Sequence, residues 1–175
     1  LFYLDRYQLE ARFFFLMNDQ GKFNSNVDPN SELLHDRIRA YTKQHTYGMH
    51  PSYAAVEDGL IEKEKQKLEN IVGITTDHSR QHFLRIRFPD YIDAIIKTGI
   101  KHDHSLGYTD VSGFRAGISR PFPFFNLLTN SPTGLTLHPF SFMDATYIYY
   151  KKADTEQIIK KILAIKQQVS KVNGK

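Results

Sequence analysis

The chain has 175 residues, 41% hydrophobic and 24% charged, which is the composition of one globular domain with a sizeable core. Its 23 Lys+Arg against 19 Asp+Glu leave a net charge of +4, and outside Lys151-Lys152 and the tail from Lys160 the basic residues are dispersed. That pattern reads as solvated surface and argues against a nucleic-acid partner. There is no cysteine, so disulfides and Cys-ligated zinc are excluded and any metal must be held by His, Asp or Glu. No apolar run approaches the roughly 20 residues of a membrane span and no signal peptide is visible, so the expected location is the cytoplasm.

Leu1 to Gln8 predicts the end of an amphipathic helix, and Ala11 to Met17 a short strand buried on both faces, bounded by Asn18-Asp19-Gln20-Gly21. A polar loop over 22–30 leads to Asn30 or Ser31, which can cap a helix with Leu33, Leu34, Ile38 and Tyr41 at helical spacing. Thr46 to His50 is the next strand. Glu57 to Ile71 is a helix with Leu60, Ile61, Leu68 and Ile71 inward, ended by Gly73; Glu62, Lys63, Glu64, Lys65 and Lys67 read as its solvated face.

Thr75 to Arg87 mixes strand-like residues with large polar ones, and a strand is expected around His82. Pro89 opens a helix over Asp90 to Lys97, and Gly99 closes it. His102 to Tyr108 reads as a short strand. The prolines and phenylalanines of Arg120 to Phe125 argue for an irregular packed segment. Leu135 to Phe140 is a strand ending in His-Pro, and Thr155 to Val172 a final helix with Ile158, Ile159, Ile162, Leu163 and Ile165 on its apolar side.

This alternation predicts an α/β fold with a parallel sheet in a single domain over 1–175, with Phe14, Phe15, Met49, Leu84 and Leu137 in the core. A closed barrel needs more chain, so an open or incomplete sheet is expected, and Leu1 and Asn173-Gly174-Lys175 read as points inside a longer domain.

In a parallel sheet the strand carboxyl ends share one face, where His50, the Arg80/His82 pair, Asp103 and His138 can converge. Histidine with carboxylate can hold zinc and acidify its water, and an arginine can clamp developing negative charge. Taken singly, Arg80, Arg85 and Arg115 read equally well as structural partners of Asp77, Asp90 or Asp103.

Four runs, Gly48-Met49-His50-Pro51-Ser52-Tyr53, Ser79-Arg80-Gln81-His82-Phe83-Leu84-Arg85, Asp103-His104-Ser105-Leu106-Gly107-Tyr108 and Gly113-Phe114-Arg115-Ala116-Gly117, together resemble the bacterial polysaccharide deacetylase-like proteins. These contain the NodB-homology domain of carbohydrate esterase family 4. The resemblance implies a parallel, deformed (β/α) barrel and a divalent-metal hydrolase, zinc being the expected ion, that removes acetyl groups from a glycan. His50 matches the first histidine of the family's His-Ser/Thr-x-x-His metal motif, whereas Ala54 stands where the second belongs. Arg80 falls where active members carry an arginine that tethers the catalytic base. The Asp-Asp motif is expected on a strand before Leu1, and the Leu-x-His motif after Asn173, so the residues present do not complete the family's reaction.

On this reading Arg80, His82, Asp103 and Arg115 are the catalytic candidates, His50 the metal ligand, and Tyr53, Tyr108 and Phe122 aromatic contacts for the glycan. The alternatives are an inactive deacetylase-like domain that only binds glycan, and a scaffold that binds nothing.

Overall fold

The computed structural model describes residues 2–174. These form two compact units, one built from the stretch up to His82 together with Arg87–Lys101, the other from Phe83–Ile86 together with the stretch from His102 onward. The chain is α/β with mostly parallel strand pairing.

In the first unit, α1 (Phe2–Tyr7) buries no residue and precedes β1 (Arg12–Phe15). α2 (Glu32–Thr42) connects β1 to β2 (Thr46–Met49), and the two strands pair in parallel from Arg12↔Thr46 to Phe15↔Met49. This is the arrangement expected of a helical crossover. α3 (Ile61–Val72) then leads to β3 (His78–Ser79), which pairs in parallel with β2 through Met49↔Ser79. α4 (Asp90–Lys97) buries Tyr91, Ile92 and Ile95, which with Ile38, Met49 and Leu68 form the core.

Several expectations change at residue level. α3 starts at Ile61, later than the predicted Glu57, because residues 53–59 form consecutive turns. It ends as predicted, with Gly73 in the left-handed conformation at φ 80°. Leu33 is 68% exposed while Ile38 is fully buried, so the apolar stripe of α2 is narrower than its sequence suggests. The expected strand around His82 is shorter and earlier. Only His78–Ser79 pair, and His82–Leu84 form a 3-10 turn in which Phe83 (φ 56°) and Leu84 (φ 51°) take left-handed backbone, a geometry no strand continues through. Met49, Leu84 and Leu137 are buried as expected, whereas Phe14 and Phe15 are only partly so.

In the second unit β4 (His102–Asp103) pairs in parallel with β6 (Ser131–Leu137), and β5 (Phe122–Asn126) runs antiparallel to β6. The predicted strand over His102 to Tyr108 is therefore two residues long. The segment expected to be irregular, Arg120 to Phe125, supplies β5, with a register shift between Pro123 and Phe125. Proline is tolerated there because β5 has a partner strand on one side only. A π-helical turn (Thr146–Tyr150) leads to α5 (Thr155–Lys171).

No residue of α5 is fully buried, and Leu163 is 58% exposed, so the predicted apolar side is largely open to solvent. With little tertiary packing, the helix depends on its start. The Asp154 side chain accepts from the Gln157 backbone N–H at 2.8 Å while the Gln157 side chain accepts from the Asp154 N–H at 3.3 Å, a reciprocal capping box. Asp154→Ala is expected to cost about 1 kcal/mol of local helix stability. Faster amide exchange confined to the first turns of α5 would confirm it, and unchanged exchange would refute it.

Candidate functional site

β2 ends at Met49, and the ladder continues one residue beyond it: the His50 N–H donates to the Phe15 carbonyl at 2.8 Å, and the Arg80 N–H donates to the Met49 carbonyl at 3.1 Å. The His82 N–H then donates to the Pro51 carbonyl at 3.1 Å. Backbone bonds therefore hold the segments bearing His50 and His82 side by side at the carboxyl ends of β2 and β3, where α/β sheets place ligands.

The two imidazoles meet there. His50 Nε2 lies 3.0 Å from His82 Nδ1, with the ring centroids 4.9 Å apart and the planes inclined at 73°. Each outer nitrogen faces a backbone carbonyl, His50 Nδ1 that of Arg80 and His82 Nε2 that of Phe23, the latter at 2.7 Å. A carbonyl only accepts, so both outer nitrogens carry the protons of the neutral rings. The two inner nitrogens then face each other as lone pairs.

Electrostatics favours that neutral state. Burial, and after it the neighbouring His82 ring, push His50 down to about 4, against the opposing pull of its bond to the Arg80 carbonyl. Burial likewise lowers His82, opposed by its bond to the Phe23 carbonyl.

The loop after β1 closes over this pair. A tight bridge between Gly21 and Asn24 presents the Phe23 carbonyl to His82, the Asn24 side chain accepts from the Tyr53 N–H at 3.3 Å, and the Phe23 and Tyr53 rings stack at 4.2 Å. Phe23 is 41% exposed, so the stack offers an apolar aromatic surface beside the histidines. Tyr53 was a sequence candidate. Phe23 was not, because a single aromatic in a polar loop gives no periodic signal.

Beneath the site lies Ser52, 1% exposed. Its N–H donates to Glu64 Oε2 at 2.9 Å and its hydroxyl to Glu64 Oε1, while Asn18 Nδ2 donates to Ser52 Oγ and Gln81 Nε2 to the Ser52 carbonyl, both at 3.0 Å. Glu64 is therefore no part of a solvated face. It is 4% exposed, and burial raises its pKa against the opposing pull of the Ser52 bonds.

The remaining candidates lie in the second unit. Asp103 is fully buried, its two oxygens accepting from the Ser105 N–H at 3.0 Å and the Ser105 hydroxyl at 2.8 Å. His102 Nδ1 lies 3.0 Å from His138 Nε2, and the His104 ring stacks on His138 at 4.3 Å. Arg115 is exposed in a turn closed by the Gly117 N–H to Phe114 carbonyl bond, Tyr108 is 38% exposed, and Phe122 is half-buried in β5. A cavity of about 610 Å³ in the first unit, lined by Asp5, Glu10, Arg12 and His45 among others, lies at the amino ends of β1 and β2, away from His50.

Among the described residues, no three His, Asp or Glu side chains are grouped so as to hold a metal ion. Ala54 offers only a methyl, so a full His-x-x-x-His pair does not form. What the site supplies is the His50–His82 pair, two imidazole nitrogens with their outer N–H groups fixed by carbonyls, which fits part of the coordination shell of such an ion.

No family model matches the chain, and no curated protein matches it. Among solved structures, it is similar to the crystal structure of a "putative polysaccharide deacetylase from Mycobacterium smegmatis", with a TM-score of 0.54 and 14% identity over 79% of this chain. The match spans 43% of that protein's chain. At this identity the likeness is one of fold, and it gives this chain a deacetylase-like α/β fold. No helix among the described residues is long and apolar enough to cross a membrane.

Proposed function

We propose that the protein is a carbohydrate deacetylase, a metal-assisted hydrolase that removes acetyl groups from a bacterial glycan or its precursor, built on a deformed (β/α) barrel. The observation that supports this most is the His50–His82 pair at the carboxyl ends of β2 and β3, in a fold like that of the mycobacterial protein. When bound, a divalent ion such as zinc would polarise the acetyl carbonyl and lower the pKa of its water to about 7. His50 presents Nε2 for this role, oriented through its Nδ1–H on the Arg80 carbonyl. The Phe23–Tyr53 stack gives the apolar face of a sugar ring a surface to lie on. The Arg80 guanidinium, whose charge already disfavours protonation of His50, is the group in this unit suited to negative charge developing on the acetyl oxygen.

The test is acetate release from an N-acetylated oligosaccharide by the zinc-loaded protein. His50→Ala is expected to reduce the rate at least about 100-fold, since even outer partners of metal ligands are worth 10–100-fold. Equal rates in wild type and variant would refute the reading. A second reading, glycan binding without catalysis, is favoured by the lack of a three-ligand group among the described residues. Binding of the oligosaccharide with no acetate release at any zinc concentration would establish it.

A further inference from the structure

Ala54 leaves the site one imidazole short of the family's metal motif, and the structure brings in another from a different strand end. We infer that His82 Nδ1 is the second protein ligand of a divalent transition-metal ion, held jointly with His50 Nε2, in place of the histidine that Ala54 does not supply. The inference deepens the deacetylase reading and rests on it for the use made of the ion.

Three observations converge on this pairing. First, the carbonyls of Arg80 and Phe23 require the N–H groups on His50 Nδ1 and His82 Nε2, which directs both remaining lone pairs inward. A ligating histidine almost always donates its other N–H to a carbonyl, carboxylate or water, and here both rings do so to backbone. Second, the inner nitrogens are 3.0 Å apart. Two imidazole nitrogens each about 2.0–2.1 Å from a tetrahedral zinc lie about 3.3 Å apart, so a few tenths of an ångström of side-chain adjustment admits the ion. Third, the backbones carrying the two rings are bonded to each other through the His82 N–H and the Pro51 carbonyl at 3.1 Å, just past the ends of β2 and β3, so the two segments are not independent loops.

Two facing lone pairs repel each other, and a cation between them removes the repulsion. Water could donate to one ring, but the gap is too short to admit it between the two nitrogens. The all-imidazole donor set selects Zn²⁺, Co²⁺, Ni²⁺ or Cu²⁺ over Mg²⁺ or Ca²⁺, which prefer oxygen. With two protein nitrogens, the remaining positions fall to water and to substrate oxygen. Affinity should therefore fall below that of a three-ligand site.

The experiment uses the chelator-stripped protein at pH 7.5, titrated with Zn²⁺ by calorimetry and with Cu²⁺ by electron paramagnetic resonance, which counts coordinated nitrogens. The expected result is one ion per chain with two imidazole nitrogens on copper, and no heat with Mg²⁺. His50→Ala and His82→Ala should each lower zinc affinity at least about tenfold and remove one nitrogen from the spectrum. His35→Gln, on a ring bonded to the Pro29 carbonyl on α2, should do neither. Far-UV circular dichroism of each variant separates a lost ligand from a lost fold, and His82→Gln, which keeps a donor toward the Phe23 carbonyl, repeats the test with the loop held.

Unchanged affinity and nitrogen count in folded His82→Ala and His82→Gln would overturn the inference, as would wild type that binds no ion at micromolar concentration. The two readings fail separately. Two-nitrogen binding without acetate release keeps this inference and sinks the deacetylase reading, whereas acetate release that survives His82→Ala with full metal content does the reverse.

Discussion

Glu64→Ala is expected to destabilise the protein by about 2–4 kcal/mol, because it strands a buried backbone N–H and a buried hydroxyl at once. The Ser52 N–H and hydroxyl both end on the Glu64 carboxylate, and Ser52 is 1% exposed, so no water replaces the lost acceptor without opening the loop. The truncation also leaves a cavity against Leu68 and Ile61 on the same face of α3. Relief of the burial that raises the Glu64 pKa works in the opposite direction, and the two bonds from Ser52 already offset part of that cost. In a protein of this size the loss should lower Tm by roughly 4–16 °C, at about 2–4 °C per kcal/mol.

The same carboxylate gives a pH signature with a definite sign. Its folded pKa lies above its unfolded value, so between the two the folded state binds more protons than the unfolded state. Stability therefore falls as pH rises from the usual glutamate range, near 4.3, through the raised folded value. Glu64→Gln keeps an acceptor for the Ser52 N–H and removes the ionisation. It should cost less than the alanine variant and flatten this part of the stability profile. Chemical denaturation at a series of pH values checks both, and a profile with the wild-type slope in Glu64→Gln would exclude Glu64 as its source.

Glu64 also illustrates what was legible in the sequence. Counted as one of five charges, it reads as solvated surface. Counted by helical spacing, it sits three residues after Ile61 and four before Leu68, on the apolar face, and a lone carboxylate there asks for a buried donor. The parallel pairing of β1 with β2 was legible because continuous apolar strands joined by a helix leave little alternative, and Gly73 and Pro89 marked helix boundaries by their backbone restrictions. β5 was not legible. Two prolines argue against a strand, and the hairpin that accommodates them depends on a partner more than ten residues away at its paired end.

The site was legible in part. His50 stood out as a strand-end histidine, and His82 as a large polar residue where a strand was expected. Their meeting depends on the backbone bond from the His82 N–H to the Pro51 carbonyl, a pairing beyond the strands that no local pattern announces. The reach of Phe23 across to His82 depends on the Gly21–Asn24 bridge, a loop geometry equally invisible in composition. Asp103 accepts from the Ser105 N–H and hydroxyl two residues away, a local bond that a reading based on strand ends alone does not announce.

Gly48→Ala is expected to harm both the fold and the site, by about 1–3 kcal/mol or more in stability. A Cβ at this position would lie 2.7 Å from the His78 carbonyl oxygen and 2.7 Å from Phe14 Cε1. The Phe14 ring could swing aside, but the carbonyl belongs to β3, which is paired to β2 through Met49↔Ser79. The sheet must therefore open between β2 and β3, the two strands whose ends present His50 and His82. Glycine is required here for close backbone approach and not for unusual torsions. The variant should consequently lose zinc affinity as well as several degrees of Tm, in contrast to Asp154→Ala, which loosens α5 alone. A Gly48→Ala protein with wild-type melting and wild-type zinc affinity would show that the packing between these strands does not set the separation of the two imidazoles.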